Sequence, residues 1–280
     1  MPQQNINNPL VSVVIPCYNN GKYLADALDS VLAQIYSAWE CIIVDDGSTD
    51  NSKEVALTYI GKDSRFKYIH QQNSGVSIAR NNGISNANGK YILPLDADDK
   101  IASQYIAEAI EIMEKEPGVK LVYCRAELFG SKSGEWSITP YSYKQLLIEN
   151  LMFCTALFRK ADFDRIAGYD KNMVEGFEDW DFWLSFISES DKVYQIPKTY
   201  FYYRIKDISR NTQLDEEKQR RLRRQIYEKH KALYDKHLSV PDVIYDYYKA
   251  SSQLKEVNQS MTLKVGKFFM APYHFIRNIF

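Results

Sequence analysis

The chain has 280 residues, of which 45% are hydrophobic, 25% charged and 14% aromatic, so it can bury a sizeable core without disulfides or metals and is not disordered throughout. Thirty-five Lys and Arg stand against 36 Asp and Glu, a formal net charge of −1, so bulk electrostatics do not point to nucleic acid. The four cysteines, Cys17, Cys41, Cys124 and Cys154, form no CxxC pair and sit among apolar neighbours, which predicts small buried hydrophobes in a reducing compartment. The first ten residues lack a basic stretch followed by an apolar one, and no apolar run is long enough to span a bilayer. The expected location is therefore cytoplasmic. Twenty-one tyrosines offer stacking surfaces for a base or sugar, but genome composition explains the number equally well.

Val11 to Pro16 is a short apolar run that predicts a strand. Leu24, Ala27, Leu28, Val31 and Leu32 then recur at helical spacing, and Glu40 to Asp45 predicts a second strand ending in acids, which makes a βαβ opening. The alternation continues with a helix over 51–61, a strand over 66–70, a helix over 75–87, a strand over 91–95, a helix over 103–116 closed by Pro117-Gly118, and a strand over 119–124. Such alternation predicts an α/β fold, Rossmann-like, with a mostly parallel sheet flanked by helices and ligands gathered at the carboxyl ends of the strands. Cys17-Tyr18-Asn19-Asn20, Asp45-Asp46-Gly47-Ser48 and Asp96-Ala97-Asp98-Asp99 each follow directly on a strand, so three strand ends face one crevice. Beyond about residue 130 the pattern is less regular. It predicts a helix over 143–150, a strand over 155–159, a helix over 177–189, short strands over 193–196 and 200–204, and a charged helix over 215–237. A soft boundary over 211–214 separates residues 1–214, with halves of about 1–125 and 126–214, from a helical, basic and aromatic extension over 215–280.

Neither GxGxxG nor GxxxxGK[ST] occurs, which argues against a dinucleotide oxidoreductase and a P-loop NTPase. The chain offers acid at strand ends instead: Asp45 and Asp46, then Asp96, Asp98 and Asp99. Carboxylates repel phosphate, so such a cluster needs a cation or a neutral hydrogen-bonding partner. The pair in Asp96-Ala97-Asp98 suits a hard divalent ion, Mg²⁺ or Mn²⁺. An acidic loop capping the next helix through Asp99 accounts for the same residues. In Glu178-Asp179-Trp180-Asp181, likewise, the acids suit either a helix N-terminus or a general base.

Five stretches in this order resemble the family 2 glycosyltransferases of the GT-A fold. They are Val11 to Asn19, Val44-Asp45-Asp46-Gly47-Ser48-Thr49-Asp50, Asn73-Ser74-Gly75 with Ala79-Arg80-Asn81, Leu95-Asp96-Ala97-Asp98-Asp99, and Phe177-Glu178-Asp179-Trp180-Asp181-Phe182-Trp183. The resemblance implies a metal-assisted, inverting transfer of a sugar from a nucleotide diphosphate donor, most often a UDP-sugar, to a glycan or lipid-linked glycan acceptor in surface polysaccharide synthesis. Residues 1–214 would then be the catalytic domain, with a nucleotide half followed by an acceptor half. By the same resemblance Asp98 ligates Mn²⁺ or Mg²⁺, Asp96 contacts the ribose, and Asp46, with Asp45 beside it, reads the base edge. Pro16 and Tyr18 wall the base, Asn73 and Arg80 donate toward the nucleotide or its phosphates, and Asp179 is the base, with Glu178 as the alternative. One departure stands out: many members carry a His two residues after the Tyr-Arg pair, whereas here Lys206 follows Tyr203-Arg204-Ile205. Lysine is not a ligand for these ions at neutral pH, so either the metal is held without it or Lys206 itself neutralises phosphate charge; a solvated loop lysine is the plain alternative. A non-catalytic nucleotide-sugar binding or scaffold protein of the same fold is the competing function.

The segment from Lys264 to Phe280 combines Lys264, Lys267 and Arg277 with Phe268, Phe269, Tyr273, Phe275, Ile276 and Phe280, and no acid. A basic, aromatic stretch too short and charged to span a bilayer predicts peripheral attachment to an anionic membrane surface, on the inner face of the cell membrane. Packing on the catalytic domain or on a second subunit is the alternative.

Overall fold

Strands β1 (Val11–Cys17) and β2 (Trp39–Asp45) are buried along their whole length, as strands of a sheet covered on both faces must be. In this computed structural model, which describes residues 8–206, 215–238, 241, 249, 250 and 253, the two pair in parallel from Val11 opposite Trp39 to Cys17 opposite Asp45. β3 (Phe66–His70) adds in parallel to β2, and β4 (Tyr91–Pro94) adds in parallel to β1 on its other side. Pro16 lies in a central strand without breaking the ladder. The β1–β4 pairing ends at Val14 opposite Pro94, so on that side β1 has no strand partner to receive the N–H that proline lacks.

Helix α1 (Gly21–Leu32) buries Leu24, Ala27, Leu28 and Val31 of the face its spacing predicts, while Leu32 at its end is exposed. α2 (Ser52–Lys62) and α3 (Val76–Ser85) follow β2 and β3. α3 approaches the sheet at Gly83, where an added Cβ would lie 2.4 Å from Val14 Cγ1 and 3.0 Å from Val44 Cγ2. α4 (Tyr105–Lys115) follows a two-residue strand, β5 (Lys100–Ile101).

The second half of the sheet departs from parallel pairing. β6 (Val119–Gly130) runs antiparallel to β7 (Gly134–Trp136) and to β8 (Leu157–Arg159), which is antiparallel to β4. β9 (Lys192–Ile205) lies parallel to β6 and antiparallel to β5, so the strand order is β3-β2-β1-β4-β8-β6-β9-β5. The sequence breaks β9 into two short strands at Pro197, but the structure carries it through. Register passes from Cys124 opposite Ile196 to Arg125 opposite Thr199, leaving Pro197 and Lys198 as an irregularity that needs no ladder N–H.

α5 (Tyr143–Leu146) is one turn rather than the two expected, α6 (Lys160–Phe163) follows β8, and α7 (Glu178–Phe186) stops three residues short of the expected end. The charged stretch forms two helices, α8 (Glu216–Lys229) and α9 (Lys231–His237). The chain divides into two compact units, Met1–Lys229 and His230–Phe280. In the first, α8 buries Leu222 and Ile226, and its Lys229 reaches Asp170 at 2.9 Å and Asp181 at 2.7 Å. In the second, Lys231 pairs with Asp235 along α9 at 2.7 Å. The boundary expected over 211–214 and the basic aromatic tail both lie outside the described residues. Among those residues no helix is long and apolar enough to cross a membrane. All four cysteines are buried and unpaired, and burial pushes the Cys17 thiol up to about 11, which suits packing rather than reactivity.

Candidate active site

The loop after β1 is joined to the loop after β2. Asn19 adopts a positive φ of 49°, a conformation Asn tolerates better than most residues. Its backbone N–H donates to Ser48 Oγ at 3.0 Å while its Oδ1 accepts from Thr49 N at 2.8 Å. Gly21 N donates to Asp50 Oδ2 at 2.9 Å, so the Asp-Gly-Ser-Thr-Asp stretch anchors the start of α1. Pro16 is buried, and Tyr18 beside it is 49% exposed, leaving a phenol ring open at the strand end.

Asp45 and Asp46 are both buried but hold different things. Asp45 accepts from Ser48 N at 2.8 Å and from Tyr68 Oη at 2.6 Å. Burial alone would raise its pKa, yet these hydrogen bonds, with His70 nearby, hold it below the usual range. Asp46 accepts from Gln71 Nε2 at 2.7 Å and from the backbone N–H groups of Ser74 and Gly75, each at 2.8 Å. Asp46 thereby fixes the Asn73-Ser74-Gly75 loop beside the crevice, with Asn73 itself exposed.

Arg80 is 2% exposed, and its guanidinium joins the two halves of the fold. Nη2 lies 2.6 Å from Asp96 Oδ1 and Nη1 lies 3.2 Å from Glu178 Oε1. The adjacent Asn81 holds the backbone of Tyr169 through both N–H at 2.9 Å and C=O at 2.8 Å, and the Tyr169 ring flanks Arg80. Arg80 therefore acts on carboxylates of the protein, one of them Asp96 at the strand end where the resemblance sets the nucleotide.

The acids of α7 separate by environment. Glu178 is buried on Arg80, and Asp181 is fully buried on Lys229. Asp179 is half-buried and accepts from Trp180 N at 2.9 Å and Asn150 Nδ2 at 3.0 Å. The helix is entered through Phe177, whose φ of 61° is strained for a bulky residue, and its first turn carries these three acids.

The Asp96–Asp99 loop meets the end of β9. Arg204 donates through Nε to the Asp98 carbonyl and through its backbone N–H to Asp99 Oδ1, each at 2.8 Å. Burial, then the Asp98 and Asp96 carboxylates, push the Asp99 carboxyl well above its usual range. Lys206 Nζ pairs with Asp98 Oδ2 and donates to Asn20 Oδ1 at 3.1 Å. Asp98, the metal ligand that the resemblance implies, is thus engaged by Lys206, and Asp96, the other carboxylate of the pair suited to a divalent ion, by Arg80. Among the described residues no group of three His, Cys, Asp or Glu is arranged to hold a metal. This donor set does not fit the ion.

Asn150, Lys229 and Arg204 were not singled out from sequence. Asn150 and Lys229 carry no local motif, whereas Arg204 lay in the Tyr-Arg pair already noted. The structure places Tyr18, Asp46, Asn73, Asp96 and Asp98 at neighbouring strand ends, and Arg80 links Asp96 there to Glu178, the residue before Asp179.

The family model for glycosyl transferase family 2 matches residues 12–167, more than half of the chain. An uncharacterized glycosyltransferase of Rickettsia prowazekii is 36% identical over 200 residues, 67% of this chain and 62% of that protein, so the chain spans about three-fifths of that relative's length. Among solved structures, S. aureus TarS in complex with UDP-GlcNAc superposes with a TM-score of 0.64 at 20% identity, over 73% of this chain and 61% of that one. A Pyrobaculum calidifontis mannosyltransferase in complex with GDP-Man and Mn²⁺ gives 0.60 at 15% identity, over 95% and 85%. These likenesses show the GT-A fold, and the chain belongs to glycosyl transferase family 2.

Proposed function

We propose that the chain transfers a sugar from a nucleoside diphosphate donor, a UDP-sugar, to an acceptor hydroxyl in the synthesis of a surface polysaccharide or related glycan, with inversion at the anomeric carbon. The observation that carries this reading is the placement of Asp179. It is half-buried in the first turn of α7, where Glu178 and Asp181 are buried, and it accepts from Asn150 Nδ2 at 3.0 Å. Support also comes from the solved structures of similar fold, whose descriptions name UDP-GlcNAc and GDP-Man.

In this reading Tyr18 stacks on the base beside Pro16, Asp46 and Asn73 shape its edge, and Asp96, oriented by Arg80, meets the ribose. The acceptor hydroxyl gives its proton to an Asp179 carboxylate oxygen as its own oxygen bonds to the anomeric carbon. The bond from that carbon to the diphosphate breaks on the opposite face, and the diphosphate leaves with its electron pair. Asn150 orients the base through its hydrogen bond. The divalent ion expected from sequence does not fit the paired carboxylates, and no step is assigned to it. We also assign the basic, aromatic tail from Lys264 to Phe280 to an anionic membrane surface that presents a lipid-linked acceptor. Loss of sedimentation with anionic liposomes after truncation at Ser260 would support this, and unchanged sedimentation would refute it.

The test is a donor panel with the full chain, read as nucleoside diphosphate release with and without glycan acceptors. Acceptor-stimulated UDP release and a product of inverted anomeric configuration by NMR are expected. UDP-sugar binding without turnover on any acceptor would favour the non-catalytic binding protein, and retained configuration would remove the single displacement.

A further inference from the structure

Antiparallel pairing of β5 with β9 sets Lys100 opposite Tyr202 and Ile101 opposite Phe201. Extending that register carries the residues after Tyr202 back alongside the Asp96–Asp99 loop, and strand periodicity puts Arg204 and Lys206 on one face. Arg204 is engaged by the loop itself, through the Asp98 carbonyl and the Asp99 carboxyl. Lys206 is engaged differently. Its ammonium joins two separate strand ends, pairing with Asp98 after β4 and donating to Asn20 after β1, with its Nζ 4.8 Å from the centre of the Tyr23 ring. The side chains of both Lys206 and Asp98 are 21% exposed, so the pair is sheltered yet reachable from the crevice.

An ammonium has three donors; Asp98 and Asn20 take two. The third is available to an anion, since among the described residues Nζ has no further hydrogen-bond acceptor and meets besides only the face of the Tyr23 ring. Asp98 and Asn20 thus do for Lys206 what a rigid pocket does for a bound cation: they fix its position before the ligand arrives, so little flexibility is lost on binding.

We infer that Lys206 is a diphosphate-binding residue, and that its ammonium, held by Asp98 and Asn20, supplies at this carboxylate the positive charge that a divalent ion would otherwise supply. The inference rests on reading the crevice as a nucleotide-sugar site. When the donor bond breaks, the departing diphosphate gains negative charge, and Lys206 meets it with a charge-assisted hydrogen bond while keeping its proton. Asp98 then serves to hold the lysine rather than to ligate a metal.

Calorimetric titration of the full chain with UDP, in excess EDTA and in excess Mn²⁺, tests this. Wild-type affinity is expected to agree within about threefold between the two buffers. Lys206→Met should weaken UDP in EDTA by about ten- to a hundredfold while uridine binding is unchanged, and Lys206→Arg should retain most of it. Lys206→His places an imidazole beside Asp98 and should make UDP affinity rise about tenfold or more with Mn²⁺. Wild-type UDP binding that needs Mn²⁺ would overturn the role of Lys206 while leaving the donor site standing. So would a folded Lys206→Met with wild-type UDP affinity in EDTA. If neither UDP nor GDP binds in either buffer, the donor site falls and the role of Lys206 falls with it. If Lys206→Met does not fold, the Arg and His variants decide between the same outcomes.

Discussion

Asp179 and its neighbours share one helical turn but not one chemistry. Glu178 faces Arg80 and Asp181 faces Lys229, and both carboxylates are buried, so that each would be poorly solvated without its cation. Asp179 is half-buried and accepts hydrogen bonds from the Asn150 side-chain amide and the Trp180 backbone N–H. Asp179→Asn is therefore expected to lower transfer by about 10²- to 10⁴-fold with UDP affinity unchanged, measured by single-turnover assay and calorimetry. Near-normal turnover would move the base elsewhere. Asp181→Asn should show the opposite pattern, a folded-state loss of about 1–3 kcal/mol in denaturant titration, toward the low end because Lys229 stays partly in water. A larger loss of rate than of stability in that variant would bring Asp181 into the site.

At the scale of elements, the crevice depends on how closely helices sit on the parallel strands. α3 carries both Arg80 and Asn81, and Gly83 one turn later sets its distance from β1 and β2. Methyl insertion at Gly83 meets two buried valines with short, stiff side chains, so Gly83→Ala is expected to destabilise by about 1–3 kcal/mol. Because Arg80 rides on the same helix, that variant should also weaken UDP binding, through the tilt of Asp96 rather than any direct contact. Chemical denaturation with an unchanged slope and calorimetry would show both effects; wild-type stability would mean that α3 is not held by that contact. β5 matters in the same way despite its two residues, since its pairing with β9 brings Arg204 and Lys206 to the acidic loop.

Across the whole molecule, charge is nearly balanced, but its placement is not uniform with depth. Glu40 lies buried near the start of β2, at the opposite end of the sheet from the crevice, and accepts from Ser12, Lys67 and Asn88. Burial works against its charge, yet those donors hold its carboxyl below the usual range, as Ser48 and Tyr68 do for Asp45 and as Asn172 and Lys229 do for Asp170. Each of these carboxyls is more acidic folded than unfolded. Their contribution is present above the unfolded value near about 4 and is lost as pH falls through the folded values. Melting temperature is therefore expected to fall as pH drops from about 5 to about 3, and Glu40→Gln should flatten that fall. A melting temperature constant over that range would show that these groups do not couple to folding.

Sequence alone determined the parallel half of the sheet, because continuous apolar runs such as Val11–Pro16 leave no polar face for solvent, and it placed polar loops at the carboxyl ends of the strands. Motif order was equally legible, since Asp46, Asp96, Asp98 and Asp179 each follow or begin an element whose period is readable within a dozen residues. Tertiary structure decided what those acids face. The partners Arg80 for Asp96, Lys206 for Asp98 and Lys229 for Asp181 lie 16, 108 and 48 residues away along the chain. No local pattern encodes such distances: the strand order and the β5–β9 register bring Arg80 and Lys206 to their acids, and the packing of α8 against α7 brings Lys229 to Asp181. Pairing at that range sets whether a carboxylate binds a cation of the chain, a ligand or a proton.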